Sequence, residues 1–463
     1  MLTYSFENRG GDSLYEYLYK QIKGDILSFR LAPDEKLPSK RALAKHLNIS
    51  VITVEGAYGQ LLAEGYIYSV PKSGYYVSRL SSAAQAPELS PAEEDEPESE
   101  TVFADFVGSH GGKSSFPFSV WTRLMREVMS DSPEKLMVRS PSAGVRELRE
   151  AIAEHLRSFR GMSVRPEQII VGAGTEYLYG LIIQLLGRDC RYAVEDPGYR
   201  KISRIYEANR VDCVYIPMDA KGVDPDALIK SGADVLHISP SHHFPSGTVT
   251  PVSRRYELLS WACSAPGHYI IEDDYDSEFR LMGKPIPSLR SIDLMGKVIY
   301  INTFSKSLSS TIRISYMVLP EALMEEYENR LSFYSCTVSN FDQYTLAAFI
   351  RGGQLEKHIN RMRSLYRSRR DMLIKCIRSQ QNFPSVRIME EDAGLHFLLR
   401  LDTELTDADI VSRCRENGLR VSCLGEYYRH NTGCSRTLLI NYSALEPERI
   451  PEAVDRLFGC IFS

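Results

Sequence analysis

The chain has 463 residues, 43% of them hydrophobic, enough to bury a large core and too much for one small domain. Charged residues make up 25% and the formal net charge is -5, which excludes a chain-wide basic coat, so any contact with nucleic acid has to be local. The nine cysteines include no CxxC pair, the start of the chain is polar, and no apolar run approaches the roughly 20 residues that span a bilayer; a soluble protein of a reducing cytoplasm is expected.

Leu14, Leu18, Ile22 and Ile26 recur every four residues and mark one face of a helix capped by Asp12 or Ser13 and stopped by Pro33. Ser39 then caps a short helix with Leu43, Ala44 and Leu47 facing inward, and Asn48 supplies a turn. Ser50 caps a third helix whose buried stripe is Val54, Ala57, Tyr58, Leu61 and Leu62, ending at Gly65. Aromatic and β-branched runs on either side of Pro71 to Gly74 read as a hairpin wing. The sum is a winged helix-turn-helix, whose third helix enters the major groove of double-stranded DNA. Ser50 and Thr53 are short donors at the leading end of that helix, and Lys40, Arg41 and Lys72 can reach phosphates from the second helix and the wing. Residues 1–80 hold ten Lys or Arg against eight Asp or Glu, a weak excess that favours a dimer on paired half-sites. The stretches LPSKRALAKHLNIS, AYGQLLAEGYI and KSGYYV resemble the GntR-type DNA-binding domain. That family usually carries Arg or another basic residue where this chain has Val51 and Glu55.

Residues 81–100, SSAAQAPELSPAEEDEPESE, contain seven acidic residues and no aromatic. Such a segment cannot bury enough apolar surface to order itself, so 81–104 is read as a linker between a domain at 1–80 and another from 105 to 463. Its charge would also repel DNA.

Beyond the linker, the runs QIIVGAG, RYAVED, VDCVYIP, DVLHISP, HYIIEDD, KVIYINT and ISYMVLP alternate with amphipathic segments. Strands separated by helix-length spacers imply parallel pairing and a three-layer α/β domain, with ligands at the carboxyl ends of the strands. Lys306 follows one such strand and Asp273 closes another, thirty-three residues earlier. An amine at Lys306 could form an aldimine with a cofactor aldehyde while Asp273 keeps a pyridine nitrogen protonated. Strand alternation favours Asp273 over its neighbours Glu272 and Asp274. Gly174 and Thr175 open a helix and offer N–H groups to a phosphate, with Arg313 as a matching charge and Thr303 and Ser305 as hydroxyl donors.

The stretches AGVRELREAIAEHLRSFRGM, PEQIIVGAGTEYL, VEDPGYRK, SPSHHFPSGTVTPVSRRYELLSWA, IIEDDYDSEFR and INTFSKSL resemble fold-type I, class I/II aminotransferases, and more narrowly the MocR/GabR-type regulators. The resemblance implies pyridoxal 5'-phosphate on Lys306, Tyr199 against its ring, and Tyr275 on its phenolic oxygen. It also implies Arg436 on an effector carboxylate, a homodimer, and a large domain at about 105–375 followed by a small one at about 376–463. Lys201 stands where a second carboxylate-binding Arg is sometimes found, Glu176 and Tyr177 where the phosphate loop is often uncharged, and His243 where Gln is common. The function implied is a DNA-binding regulator that senses an amino compound or the cofactor itself. The alternative is a working aminotransferase with a vestigial N-terminal module.

Overall fold

The computed structural model describes residues 2–6, 10–79, 102–108, 116–281, 286–392, 394–430 and 435–462. The segment read as a linker falls almost wholly outside them, apart from 102–104. The chain divides into two compact units, residues 1–99 and 100–463.

In the first unit, three helices, α1 (Leu14–Leu27), α2 (Lys40–Leu47) and α3 (Val51–Ala63), precede a hairpin of β1 (Ile67–Val70) and β2 (Gly74–Val77). Glu16 accepts from both the N–H and the hydroxyl of Ser13 and ties down the start of α1. The helix ends well before Pro33, because the Ser28 hydroxyl donates to the Gly24 carbonyl and Phe29 turns left-handed at φ 56°. Ser39 caps α2 by accepting from the Ala42 N–H at 3.2 Å, and Asn48 closes it at φ 53°. Leu18, Ile22, Ile26, Leu43, Val54, Ala57, Tyr58, Leu61, Ile67 and Val77 form one core. Leu62 is exposed rather than buried: at 100° per residue it lies about 80° from Val54, past the edge of the stripe.

The second unit is built on an eight-stranded sheet. After β3 (Ala104–Asp105), its strands in chain order are β4 (Ile169–Gly172), β5 (Tyr192–Asp196), β6 (Cys213–Asp219), β7 (Gly222–Val223), β8 (Val235–Ile238), β9 (Tyr269–Asp273), β10 (Val298–Thr303) and β11 (Ser315–Val318). They lie in the order β4-β11-β10-β9-β8-β5-β6-β7. The pairs β10/β9, β9/β8, β8/β5 and β5/β6 are parallel, as helix-length spacers require. β11 instead runs antiparallel to both β10 and β4, because residues 304–314 are too few to carry a crossover helix. Separate apolar cores fill the layers on the sheet's faces, one around Leu148, Ile152, Tyr300 and Tyr316, another around Leu178, Ile182, Ile271 and Ile301.

The C-terminal layer is a four-stranded sheet in the order β12 (Val386–Met389), β13 (His396–Leu401), β16 (Thr437–Asn441), β15 (Ser422–Cys423), with β14 (Leu419–Arg420) pairing with β3. Its core takes in Ala104 and Phe106 from the start of the unit and Met362 and Tyr366 from the helix Gln354–Arg378. The Phe103 N–H donates to the Gly418 carbonyl at 2.7 Å. The chain therefore joins this layer at residues 103–104, within the stretch assigned to the linker, and the long helix contributes to it before residue 376, because an edge strand and a helix face supply surface that composition alone does not reveal. No helix among the described residues is long and apolar enough to cross a membrane.

Leu61 is fully buried, so Leu61→Ala is expected to destabilise the first unit by about 2–5 kcal/mol. Calorimetry of the full chain should show one transition moved to lower temperature and the transition of the second unit unchanged.

Candidate functional site

Parallel pairing sets Asp273 on β9 opposite Ile301 on β10, and Lys306 follows β10 by three residues in the single helical turn Phe304–Ser307. Alternation at the end of β9 separates Glu272, Asp273 and Asp274, the last of which lies just past the strand. Glu272 accepts from the N–H groups of Leu289 and Arg290 at 2.7 and 2.8 Å. Asp274 is buried against Arg160 at 2.8 Å and accepts from the hydroxyls of Tyr300 and Ser277. Both hold the fold together. Asp273 faces the other way: one carboxylate oxygen accepts from the Tyr179 hydroxyl and lies 3.7 Å from His237 Nε2, and the other is buried with no hydrogen-bond partner among the described residues. A buried acceptor of this kind costs free energy unless a donor reaches it.

Around Lys306 gathers a group of imidazoles and acids. His242 Nδ1 lies 2.7 Å from Asp276 Oδ2 and 3.2 Å from the Tyr275 hydroxyl. The rings of His242 and His396 are 4.7 Å apart, and Phe244 packs edge-on between Tyr199, His396 and Tyr427. Gly394 makes this packing possible, since a Cβ there would fall 1.9 Å from His242 Cε1. Burial pulls the Lys306 ammonium below its ordinary value, with the nearby Asp276 charge opposing the shift. Burial likewise pushes Glu195 up to about 8 and His243 down to about 3, so this facing pair, 3.4 Å apart, is neutral on both sides at pH 7.

At the edge of β4, Gly174 (φ 93°) leads into the helix Thr175–Leu186, whose first N–H groups have no acceptor within the helix. A Cβ on Gly174 would lie 2.7 Å from an Arg313 guanidinium nitrogen, so the guanidinium rests directly on the bare backbone. Glu176 on that helix contacts Lys201, and its second oxygen lies 3.6 Å from Arg313.

Several predicted residues already have partners within the chain. The Thr303 hydroxyl is consumed locally, accepting from the Ser305 N–H at 3.1 Å and the Ser315 hydroxyl at 2.8 Å. Lys201 is engaged by Glu176. Arg436 precedes β16, its carbonyl accepting from the Leu401 N–H at 2.8 Å, five residues along β13 from His396. Its N–H donates to Asp407 and its guanidinium faces Glu404 at 3.9 Å. Sequence reasoning missed Tyr179, His237, His242, Asp276 and Glu195. The His doublet in PSHHFPSG and the repeated acids in IIEDDYDSE were visible signals, whereas nothing in the spacing tied Tyr179 to Asp273.

In the helix-turn-helix unit, Lys40 donates to Glu55 at 2.6 Å, pairing α2 with α3. The Ser50 hydroxyl caps α3, accepting from the Thr53 N–H at 3.1 Å and sharing a 2.8 Å hydrogen bond with the Thr53 hydroxyl. Both residues are thus occupied at the helix start instead of projecting as free donors. Arg41 and Lys72 are exposed, and so are Val51 and Ile52, the latter by 80%. Lys72 sits at the hairpin turn with φ 62°.

A winged helix-turn-helix joined in one chain to an aminotransferase-like α/β unit defines a regulator class. A family model described as aminotransferase class I and II matches residues 110–457, and one described as bacterial regulatory proteins, gntR family, matches residues 14–77. The uncharacterized HTH-type transcriptional regulator YdeL of Bacillus subtilis (strain 168) is 37% identical over 98% of both chains. The probable rhizopine catabolism regulatory protein MocR of Rhizobium meliloti is 30% identical over 96% of this chain and 93% of its own. The pyridoxine biosynthesis transcriptional regulator PdxR of Corynebacterium glutamicum is 30% identical over 95% and 94%. The fold of a Pyrococcus horikoshii kynurenine aminotransferase superposes with a TM-score of 0.69 at 22% identity, over 78% of this chain and 91% of that one. The chain belongs to the MocR-type transcriptional regulators, in which a GntR helix-turn-helix domain is fused to a class I/II aminotransferase-like domain.

The Glu195 shift sets a pH dependence. An acid whose folded value is raised binds its proton more tightly folded than unfolded between about 4.5 and about 8, so its contribution to stability falls as pH rises through that window. Glu195→Gln removes the loss. Denaturation of both proteins across the window should show the variant gaining stability relative to wild type as pH rises, with no further change above it.

Proposed function

We propose that this regulator holds pyridoxal 5'-phosphate on Lys306 and that occupancy of that site changes how it binds DNA. The observation that carries the reading is the second oxygen of Asp273, buried without a partner among the described residues while the first is fixed by Tyr179. A protonated pyridine nitrogen is the donor that such an acceptor suits. The remaining residues fit the same group. Tyr275 would meet its phenolic oxygen, Tyr199 its ring, and the N–H groups after Gly174 its phosphate, together with Arg313 and Ser305. When bound, the group supplies an aldehyde that condenses with amines and a ring that withdraws electrons.

The chain's own part is to make Lys306 reactive and to shield it. Burial favours the neutral, nucleophilic amine. His242, itself 2.7 Å from Asp276, meets the Tyr275 hydroxyl, and the ring of Phe244 packs among Tyr199, His396 and Tyr427. The effector is an amino compound or the cofactor itself. The latter draws support from the similarity to PdxR, a relative named for pyridoxine biosynthesis, and from the engagement of Lys201 with Glu176, which weakens its claim on an effector carboxylate. On the DNA side, Arg41 and Lys72 contact phosphates, and Val51 and Ile52 meet thymine methyl groups from the leading end of α3. The protein acts as a homodimer in the cytoplasm.

The test is duplex affinity, on an operator selected from random DNA, for wild type and Lys306→Gln with and without pyridoxal phosphate. Wild type should absorb visible light with the cofactor and change its affinity severalfold; Lys306→Gln should do neither. Equal affinities throughout would remove the sensory role. Separately, Arg41→Ala is expected to weaken duplex binding and to lower the slope of log affinity against log salt by about one, measurable by fluorescence anisotropy at several ionic strengths.

A further inference from the structure

The cradle after Gly174 contains an anion of its own. Glu176, the second residue of the helix Thr175–Leu186, puts one carboxylate oxygen on Lys201 Nζ and the other 3.6 Å from Arg313 Nη2. The Arg313 guanidinium lies against bare Gly174 backbone, 3.5 Å from the Ala173 carbonyl. The Lys201 contact keeps the Glu176 carboxyl below the ordinary carboxylate range, with burial opposing, so the side chain is ionised at neutral pH.

We propose, building on the cofactor reading above, that Glu176 is an internal counter-anion that competes with the cofactor phosphate for Arg313, and that Lys201 is the post to which it is withdrawn when phosphate binds. A phosphate dianion arriving at the helix N-terminus gains the N–H groups and Arg313 only against the repulsion of this carboxylate. Lys201 relieves part of that repulsion by holding Glu176 from the far side. Two antagonistic contacts on one side chain thus set the affinity for the phosphate-bearing ligand, low enough that occupancy follows ligand concentration instead of saturating. For a regulator that responds to the cofactor, this converts a binding site into a gauge.

The experiment measures dissociation constants by absorbance titration for pyridoxal phosphate and for pyridoxal, which lacks the phosphate, and by competition for inorganic phosphate. It uses the full chain as wild type, Glu176→Gln and Lys201→Met. Glu176 is 41% exposed at its side chain, so the substitution leaves the core untouched. Glu176→Gln should bind pyridoxal phosphate and inorganic phosphate about fivefold more tightly, with the gain shrinking as salt is raised. Lys201→Met should bind both more weakly, and pyridoxal affinity should not change in either variant. Uptake of pyridoxal phosphate with equal affinity by wild type and Glu176→Gln, or weaker uptake by Glu176→Gln, would overturn the role of Glu176 alone. No uptake by any of the three proteins would overturn the cofactor reading as well.

Discussion

The parallel pairing of β9 with β10 is the constraint on which the chemistry of this protein depends. It fixes Asp273 opposite Ile301 and brings the turn that carries Lys306 to the same end of the sheet. Because side chains alternate, a run of three acids at the end of β9 and just past it becomes two separate devices. Glu272 and Asp274 are spent on the N–H groups of Leu289 and Arg290 and on the buried Arg160. Asp273 alone is presented to the opposite face, with Tyr179 to anchor it. A shift of register by one residue would exchange these roles and leave Arg160 a buried charge without its acid.

The surroundings of Lys306 are polar in composition yet low in charge. Burial holds His243 and His396 neutral, and it keeps Glu195 protonated to about pH 8. Such a site screens little, so the few groups that remain charged act strongly on one another. The phosphate cradle is different. Glu176, Lys201 and Arg313 lie at 41%, 50% and 53% side-chain exposure, where water and salt weaken every contact. The protein thus combines a buried end for the reactive amine with a half-exposed end for an anion.

The DNA-binding unit shows a comparable economy. Lys40 and Glu55, read from sequence as a phosphate contact and a misplaced acid, neutralise each other across α2 and α3. The acid that looked unsuited to DNA is therefore a strut of the helix-turn-helix. What remains at the leading end of α3 is apolar, Val51 and Ile52, and the basic groups are left to α2 and the wing.

Local chemistry made much of this legible in the sequence. Serine caps, Asn48 and the four-residue spacing of Leu18, Ile22 and Ile26 set out the three helices, because such signals act within one or two turns. The alternation of apolar runs and spacers set out the α/β sheet, and it put Lys306 and Asp273 at neighbouring strand ends. Tertiary structure alone decided the rest. Tyr179 meets Asp273 across 94 residues and Glu176 meets Lys201 across 25, Arg436 lies level with Leu401, and β11 reverses direction. No local preference encodes these contacts, since each depends on which strand ends the sheet order brings together.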